Sequence, residues 1–468
     1  MPKLPSWRGE GATVKALSNT FSSLRVRNYR LFFFGQLTSM SGSWMQTVAL
    51  GWLVLRLSGN GVAVGVNFAL QFLPMLLFGM WGGVLADRFD KRRVLMMTQS
   101  TLMALAFVFF AITVTGVAEL WMVYALTFAL GCVQAIDMPT RQAFVTEMVS
   151  NDGVANAVSL NSAVFNAARI FGPAFAGLLI ETVGLPWAFF VNGFSYIAVI
   201  GAYALIRPGE LHRGDPAPRE KGQIRAGFRY VWRRPELKYT LMLVTVVSAL
   251  GLNFTVVLPL MVRFVFDEGA DTLGLLTSIM AMGSLSGALF SAGRKRPTRR
   301  LLIGAAAAFG ALELVAAAAP NLAFMAAVLL PVGIASILFI ATANSTLQLN
   351  SSQAMRGRVM ALYALVFLGS APLGGPLVGW ISEAFGPRMG LVLGGVASLS
   401  AAAVAVAAIR REQIGAAYRS LSPGHGSHSS AVLPEGHPEE APAGRHDARR
   451  PRGHKVPAQS RPRSRVDR

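Results

Sequence analysis

Long apolar runs separated by short polar turns dominate the chain. Twelve runs read as spans, with approximate limits 30–56, 62–86, 94–116, 119–140, 155–181, 186–206, 238–264, 271–293, 300–319, 321–347, 358–384 and 387–409. About 20 apolar residues in a helix cross roughly 30 Å of hydrocarbon. Backbone groups in lipid must bond within their own segment, so continuous runs predict helices. A transmembrane barrel would show shorter segments of alternating polarity. The pattern predicts an all-α membrane protein with two six-helix bundles. A basic segment, 1–29, precedes the first bundle, 30–206. The linker 207–237 leads to the second bundle, 238–409, and a polar tail covers 410–468.

Composition sharpens this picture. The chain is 53% hydrophobic and 14% charged, where a soluble domain carries about a quarter charged residues. Met1 to Asn28 lacks an apolar core, so no cleavable leader is expected and the first span serves for targeting. The tail is rich in Pro, Gly, Ser, His and Arg and is expected to be disordered. Five of the six histidines lie in it, and the sixth is His212. Their spacing fits no regular site, so no metal or cofactor is expected. The single cysteine, Cys132, lies in an apolar run and reads as a small packed side chain, with no intrachain disulfide possible.

Charge sets an expected orientation. With the N-terminus in the cytoplasm, all but four of the 43 Lys and Arg fall in cytoplasmic segments. Arg56, Arg263 and Arg388 fall outside and Arg169 lies within a span. The external turns hold Glu119, Glu181, Asp267, Glu268, Asp271 and Glu383. This asymmetry predicts a multi-pass plasma-membrane protein with both termini cytoplasmic. Basic loops against anionic lipid account for the net charge of +20. No nucleic-acid partner is expected.

The halves share a repeat. Span five holds Gly172-Pro173, Gly177, Glu181 and Gly184, and span eleven holds Gly375-Pro376, Gly379, Glu383 and Gly386, in register after one skipped residue. These glycines and prolines read as packing points or hinges. A second feature is the turn "GVLADRFDKRR", Gly83 to Arg93, whose counterpart between spans eight and nine keeps its bases and loses both acids. Asp87 sits at a helix C-terminus, where an acid opposes the helix dipole and calls for compensation from elsewhere. The start of span eleven near Gly357 and Arg358 is one source, and Arg141 another.

That turn resembles the signature after span two of the major facilitator superfamily, G-x-L-A-D-R-x-G-R-[KR]. Gly83, Leu85, Ala86, Asp87, Arg88, Lys91 and Arg92 fit it, and Asp90 replaces a glycine. The resemblance covers roughly residues 24–409. Ala168-x-x-x-Gly172-Pro173-x-x-Ala176-Gly177 is similar to the span-five motif of exporters, with two glycines changed to alanine. The Arg usual in the span-four motif is absent. "LRVRNYRLFFFGQLTSMSGSWMQTVALGWLVLRLSG", "DMPTRQAFVTEMV" and the DRFD form of the turn look like the branch of enterobactin exporters and related efflux proteins. The resemblance implies export of a small molecule, such as a siderophore, drug or hydrophobic metabolite, by proton-coupled alternating access in a monomer. It also implies a gating motif of Gly83, Asp87, Arg88, Arg92 and Arg141, with Asp87 latching the halves on the cytoplasmic side.

Charges inside spans are costly and mark candidate function. Arg169, Asp137 and Glu313 stand out. Arg169 could hold an anionic group. Asp137 either pairs locally with Arg141, four residues on, or couples protons. Glu313 couples protons or merely faces a neighbouring helix. No histidine lies in any span, so a membrane histidine relay is excluded. Gln46, Asn67, Gln71, Gln134, Asn161, Asn166, Asn253 and Asn344 are candidates to line a central cavity or to bridge helices. No phosphate-binding loop, HExxH or G-x-S-x-G elbow occurs, so enzymatic chemistry lacks support. An uptake permease and a non-transporting sensor remain alternative readings of the same fold.

Overall fold

The computed structural model describes residues 21–212, 223–294 and 297–421, without the side chains of Met80, Val84, Ala86, Asp87, 223–225 and 412–421. Most of the predicted tail, most of the amino-terminal segment and part of the linker therefore fall outside the described residues. The amino-terminal half has six helices: α1 Arg27–Ser58, α2 Gly61–Arg88, α3 Lys91–Val114, α4 Leu120–Glu147, α5 Val154–Thr182 and α6 Leu185–Leu205. A linker helix, α7 Gln223–Trp232, follows. Span seven is built from α8 Pro235–Val246, a π-helical turn Val247–Gly251 and α9 Phe254–Phe264. Next come α10 Ala270–Ala292, α11 Arg299–Ala317 and α12 Leu322–Leu349. Span eleven is α13 Gln353–Gly369 plus α14 Ala371–Phe385, and α15 Pro387–Leu421 is span twelve.

Local chemistry sets the boundaries. Asn60, Asp90, Thr298 and Asn321 accept from the backbone N–H three residues on, at 2.9–3.2 Å, and so open α2, α3, α11 and α12. Asp90, the departure from the superfamily signature, thus begins α3, where its carboxylate meets the positive helix end. Gly184 (φ 115°) and Gly386 (φ 95°) follow the repeated glycine-rich helices in a conformation that side chains disfavour. The last glycine of each repeat is explained by that backbone.

Eleven helices among the described residues are long and apolar enough to cross a membrane. The remaining span, α1, falls short in hydropathy and not in length, since its 32 residues reach about 48 Å. Its Asn28, Gln36, Ser39 and Gln46 are buried inside the bundle, so they lower hydropathy without meeting lipid.

The linker contains structure that the polar composition of 207–237 concealed. In α7, Val231 is buried while Phe228 and Trp232 are exposed and stack at 5.0 Å. Tyr230 Oη accepts from Ser352 N at 3.0 Å, and Arg234 donates to the Asn350 carbonyl at 3.3 Å. These bonds tie α7 to the start of α13.

In the amino-terminal half α1 packs on α5 and α6, α2 on α4, and α3 on α6. In the other half α12 packs on α10 and α11. The halves meet along two main seams, α2 with α14 and α5 with α10. The end of the molecule bearing Arg88, Lys91 and the linker is called the linker face below. The end bearing Gly59, Gly184, Gly269 and Gly386 is the opposite face.

Candidate functional site

Both seams between the halves are built on glycine. A Cβ on Gly61 would lie 2.6 Å from the Gly379 carbonyl oxygen, and one on Gly65 would lie 2.7 Å from Gly375 C and 2.9 Å from Pro376 Cα. The second seam mirrors the first. A Cβ on Gly177 would lie 2.7 Å from the Ala270 carbonyl oxygen, and one on Gly274 would crowd Pro173 O and lie 3.0 Å from Gly177 Cα. Of the repeat residues, Pro173, Gly177, Gly375, Pro376 and Gly379 therefore lie on the seams. Gly172 instead abuts α1, where a Cβ would lie 2.7 Å from Ser41 O. Backbone contact of this kind closes the opposite face.

Carboxylates reinforce the closure. Glu383 Oε1 accepts from Asn60 Nδ2 at 2.9 Å and Oε2 accepts from Val62 N at 3.1 Å. An acid in the last turn of α14 opposes its own dipole, and here it caps the start of α2 in the other half. Its repeat counterpart Glu181 lies at the start of α10, with Oε2 3.0 Å from where a Gly269 Cβ would stand. The sequence reading took both only as external acids and repeat markers. Their last-turn position carried the same signal that singled out Asp87.

Toward the linker face the contacts between halves thin out. α13 touches α2 lightly compared with α14, and Val158 and Phe165 of α5 are 46% and 41% exposed. Beneath the closed end a narrow crevice is lined by Thr47 and Gly51 of α1, Asn67 and Gln71 of α2, and Thr255 of α9. Asn67 is held by Thr127 at 2.8 Å, and Gln71 is half-buried. On the same face of α1 as Thr47, Trp44 lies 5.8 Å from the Arg169 guanidinium and meets Phe165 edge-on at 5.7 Å. Among the described residues no carboxylate pairs with Arg169.

Asp137 is buried in a network within the amino-terminal half. It accepts from Thr98 Oγ1 at 2.6 Å and Gln99 Nε2 at 2.8 Å, and lies 3.8 Å from Arg141. Arg141 donates to Gln36 at 3.1 Å, and Gln36 donates to Tyr203 Oη at 2.8 Å. The network joins α1, α3, α4 and α6. Sequence spacing exposed only the Asp137–Arg141 pair, because the other partners come from distant helices.

The remaining polar candidates are dispersed. Gln46 accepts from Asn192 between α1 and α6. Asn166 donates to Ser162 O on its own helix. Asn253 donates to Ala249 O beside the π-turn, and its Oδ1 lacks a partner, as does Oδ1 of Asn161. Asn344 accepts from Gln348, and Gln134 is half-buried in α4. Glu313 is 1% exposed within the carboxy-terminal half.

In the basic turn, the Asp87 side chain lies outside the described residues. Gly83 is half-buried and Arg88 exposed. Arg92 donates to Tyr203 O at 2.6 Å and Ala204 O at 2.7 Å, satisfying the carbonyl end of α6. Lys91 pairs with Glu147 at 2.6 Å, which locks α3 to the end of α4. A larger pocket of about 210 Å³ lies wholly in the carboxy-terminal half, beside the Glu236–Arg299 ion pair. It does not lie between the halves, and it is below the roughly 300 Å³ of drug-sized sites.

Two six-helix halves, joined by repeated glycine seams at one end, have the architecture of a membrane transporter. The chain belongs to the transmembrane secretion effector family of the major facilitator superfamily, whose model matches residues 18–428. It is 27% identical to the multidrug efflux pump Tap of Mycolicibacterium fortuitum over 76% of this chain and 89% of that protein. It is 26% identical to the staphyloferrin A transporter of Staphylococcus aureus over 55% of this chain. That match spans 64% of the relative, less than two thirds of its length. A bacterial homolog of the lysosomal transporter Spinster, inward-facing and unoccupied, shares the fold with a TM-score of 0.66, at 16% identity over 82% of this chain and 96% of that one.

Proposed function

We propose that the protein exports a small molecule across the plasma membrane by proton-coupled alternating access. The observation that carries this reading is the closure of the opposite face by two repeat-related seams while contact thins toward the linker face. A pore that opens at one face and is sealed by small-residue contacts at the other can exchange its open end by rocking the halves. The linker face, with its many bases, is the cytoplasmic side, so both termini are cytoplasmic and the conformation faces inward. Basic loops there hold anionic lipid headgroups.

Residues 30–206 and 238–409 act as the two rocking halves, and the protein works as a monomer. Asp87, with Gly83, Arg88, Arg92 and Arg141, serves the gate on the linker face when the opposite face opens. Arg169, Trp44, Gln71 and Asn67 border the substrate path. The family and the printed names of the relatives, a drug efflux pump and a siderophore transporter, support a siderophore, drug or hydrophobic metabolite as substrate.

The test is accumulation of ethidium and a panel of siderophores in cells with and without the protein, each with and without a protonophore. Lower accumulation with the protein, reversed by the protonophore, is expected. Raised accumulation identifies an uptake permease, and no difference for any compound favours a sensor.

A further inference from the structure

Asp137, Glu147 and Glu313 are the buried acids among the described residues. Asp137 has its network and Glu147 has Lys91. Among the described residues Glu313 has no hydrogen bond or ion pair, and its Oε2 is buried without a partner. The carboxyl rests on two glycines. A Cβ on Gly394 of α15 would lie 2.7 Å from Oε1 and 3.0 Å from Oε2, and one on Gly251 would lie 3.2 Å from Oε2. Gly251 ends the π-helical turn of span seven. Ser398 Oγ stands 3.0 Å from the same Gly251 position. Ser398 Oγ, Ser248 Oγ in the turn and Asn253 Oδ1 just beyond it also lack partners. Unsatisfied polar atoms thus gather where spans seven, nine and twelve meet, beside a π-turn of the kind that recurs at functional sites.

An ionised carboxylate without a partner is very costly in so apolar a setting, and a bound proton removes the charge. Residues 240–262 of span seven and all of α12 carry no charged or titratable side chain. On α11 the other charges are Arg299, which pairs with Glu236, and Arg300, at the far end from Glu313. On α15, Arg388 donates to the Ala317 carbonyl at 3.0 Å, one turn beyond Glu313, while Arg410 and Arg411 lie near the linker face. Glu313 is four residues from the end of α11, about 6 Å from the opposite face.

We propose that Glu313 is a proton-binding site of the carboxy-terminal half, loaded from the opposite face and switched by rearrangement of the π-turn Val247–Gly251. A hydronium ion gives its proton to a carboxylate oxygen, forming the O–H bond and leaving water, and release runs the same step backwards. The neutral acid suits the conformation described. Movement of the turn brings the unsatisfied Ser248 and Ser398 hydroxyls within donating reach of the carboxylate. Binding of the proton stands alone, and its use in coupling rests on the exporter reading.

The test is infrared difference spectroscopy of the full-length protein in nanodiscs after a step to alkaline pH, with no substrate present. Loss of a protonated carboxyl C=O band is expected in wild type, with no such loss in Glu313→Gln and a displaced band in Glu313→Asp. An unchanged band in Glu313→Gln overturns the proposal. If that variant fails to fold, an undisplaced band in Glu313→Asp overturns it instead. Replacing choline by sodium at fixed pH should leave the spectra unchanged. A sodium-dependent band without pH dependence would assign the site to sodium and overturn proton binding.

Coupling is read separately, with ethidium in proteoliposomes. Glu313→Gln should keep ethidium exchange and lose uphill movement driven by a pH gradient. Full proton-driven transport in Glu313→Gln overturns the coupling role and leaves the exporter reading intact. Absence of ethidium transport in wild type counts against the exporter reading for that compound, and the infrared result then decides the site.

Discussion

Gly65 offers the sharpest perturbation of the seam that closes the opposite face. An added methyl would sit 2.7 Å from Gly375 C and 2.9 Å from Pro376 Cα, both backbone atoms of the other half. Backbone cannot yield as a side-chain tip can, so α2 and α14 must part. Overpacking of this kind costs about 1–3 kcal/mol. Parting the halves at this seam relieves these contacts, so the cost falls mainly on the closed state. The closed population should drop about 5- to 150-fold relative to the open one. The comparison is Gly304→Ala, where no atom lies within 4 Å of the new methyl. Spin labels on the opposite-face ends of α2 and α14, in a background lacking Cys132, report the populations by electron double resonance. Gly65→Ala should move amplitude from the short to the long distance and Gly304→Ala should not. Identical distance distributions in Gly65→Ala and wild type would refute the reasoning.

Other expectations follow from the same contacts. Glu383→Gln weakens the charge on the α2 N-terminus, worth about 0.3–1 kcal/mol at an exposed site, so it should open the same seam by a few-fold at most. Asp137→Asn leaves a weaker acceptor for Thr98 and Gln99 and a poorer partner for Arg141, which should cost about 1–3 kcal/mol in thermal unfolding in detergent. Asp90→Ala removes the cap of α3 and should cost about 1 kcal/mol by the same assay, with Asp90→Ser recovering most of it.

The spans were legible because hydropathy and length are local quantities. Every predicted span has a helical counterpart, and spans nine and ten part at the short connection around Pro320, where α11 ends at Ala317 and α12 starts at Leu322. The breaks in spans seven and eleven were not legible. The π-turn Val247–Gly251 contains no proline, and its Gly251 lies against Phe309 and Glu313 of α11 and Ser398 of α15, contacts that sequence spacing does not reveal. The linker helix α7 was hidden by its polar composition, because its stability comes from one buried valine and bonds to α13.

For the site, sequence identified residue types more readily than partners. Gln46 and Asn67 were visible as polar residues in spans, but Asn192 and Thr127, which hold them, come from other helices. Arg92 read as part of the basic turn and its gating motif, and it also caps the carbonyl end of α6 more than a hundred residues away in sequence. Asp90 read as a mark of one branch, and its physical role is the start of α3. The repeated Gly-Pro-Gly-Glu pattern was the most informative motif, because small residues at matched positions translate directly into matched backbone contacts.

The central claim is proton-driven export, and proteoliposomes test it most directly. Vesicles holding the protein, with ethidium and a pH-sensitive dye, receive an imposed pH gradient that is acid on the side of the opposite face. The account predicts uphill ethidium movement toward that acid side, matched by proton movement the other way, with both abolished by a protonophore. Ethidium gradients that build equally without a pH gradient, or that run toward the linker-face side, would contradict it.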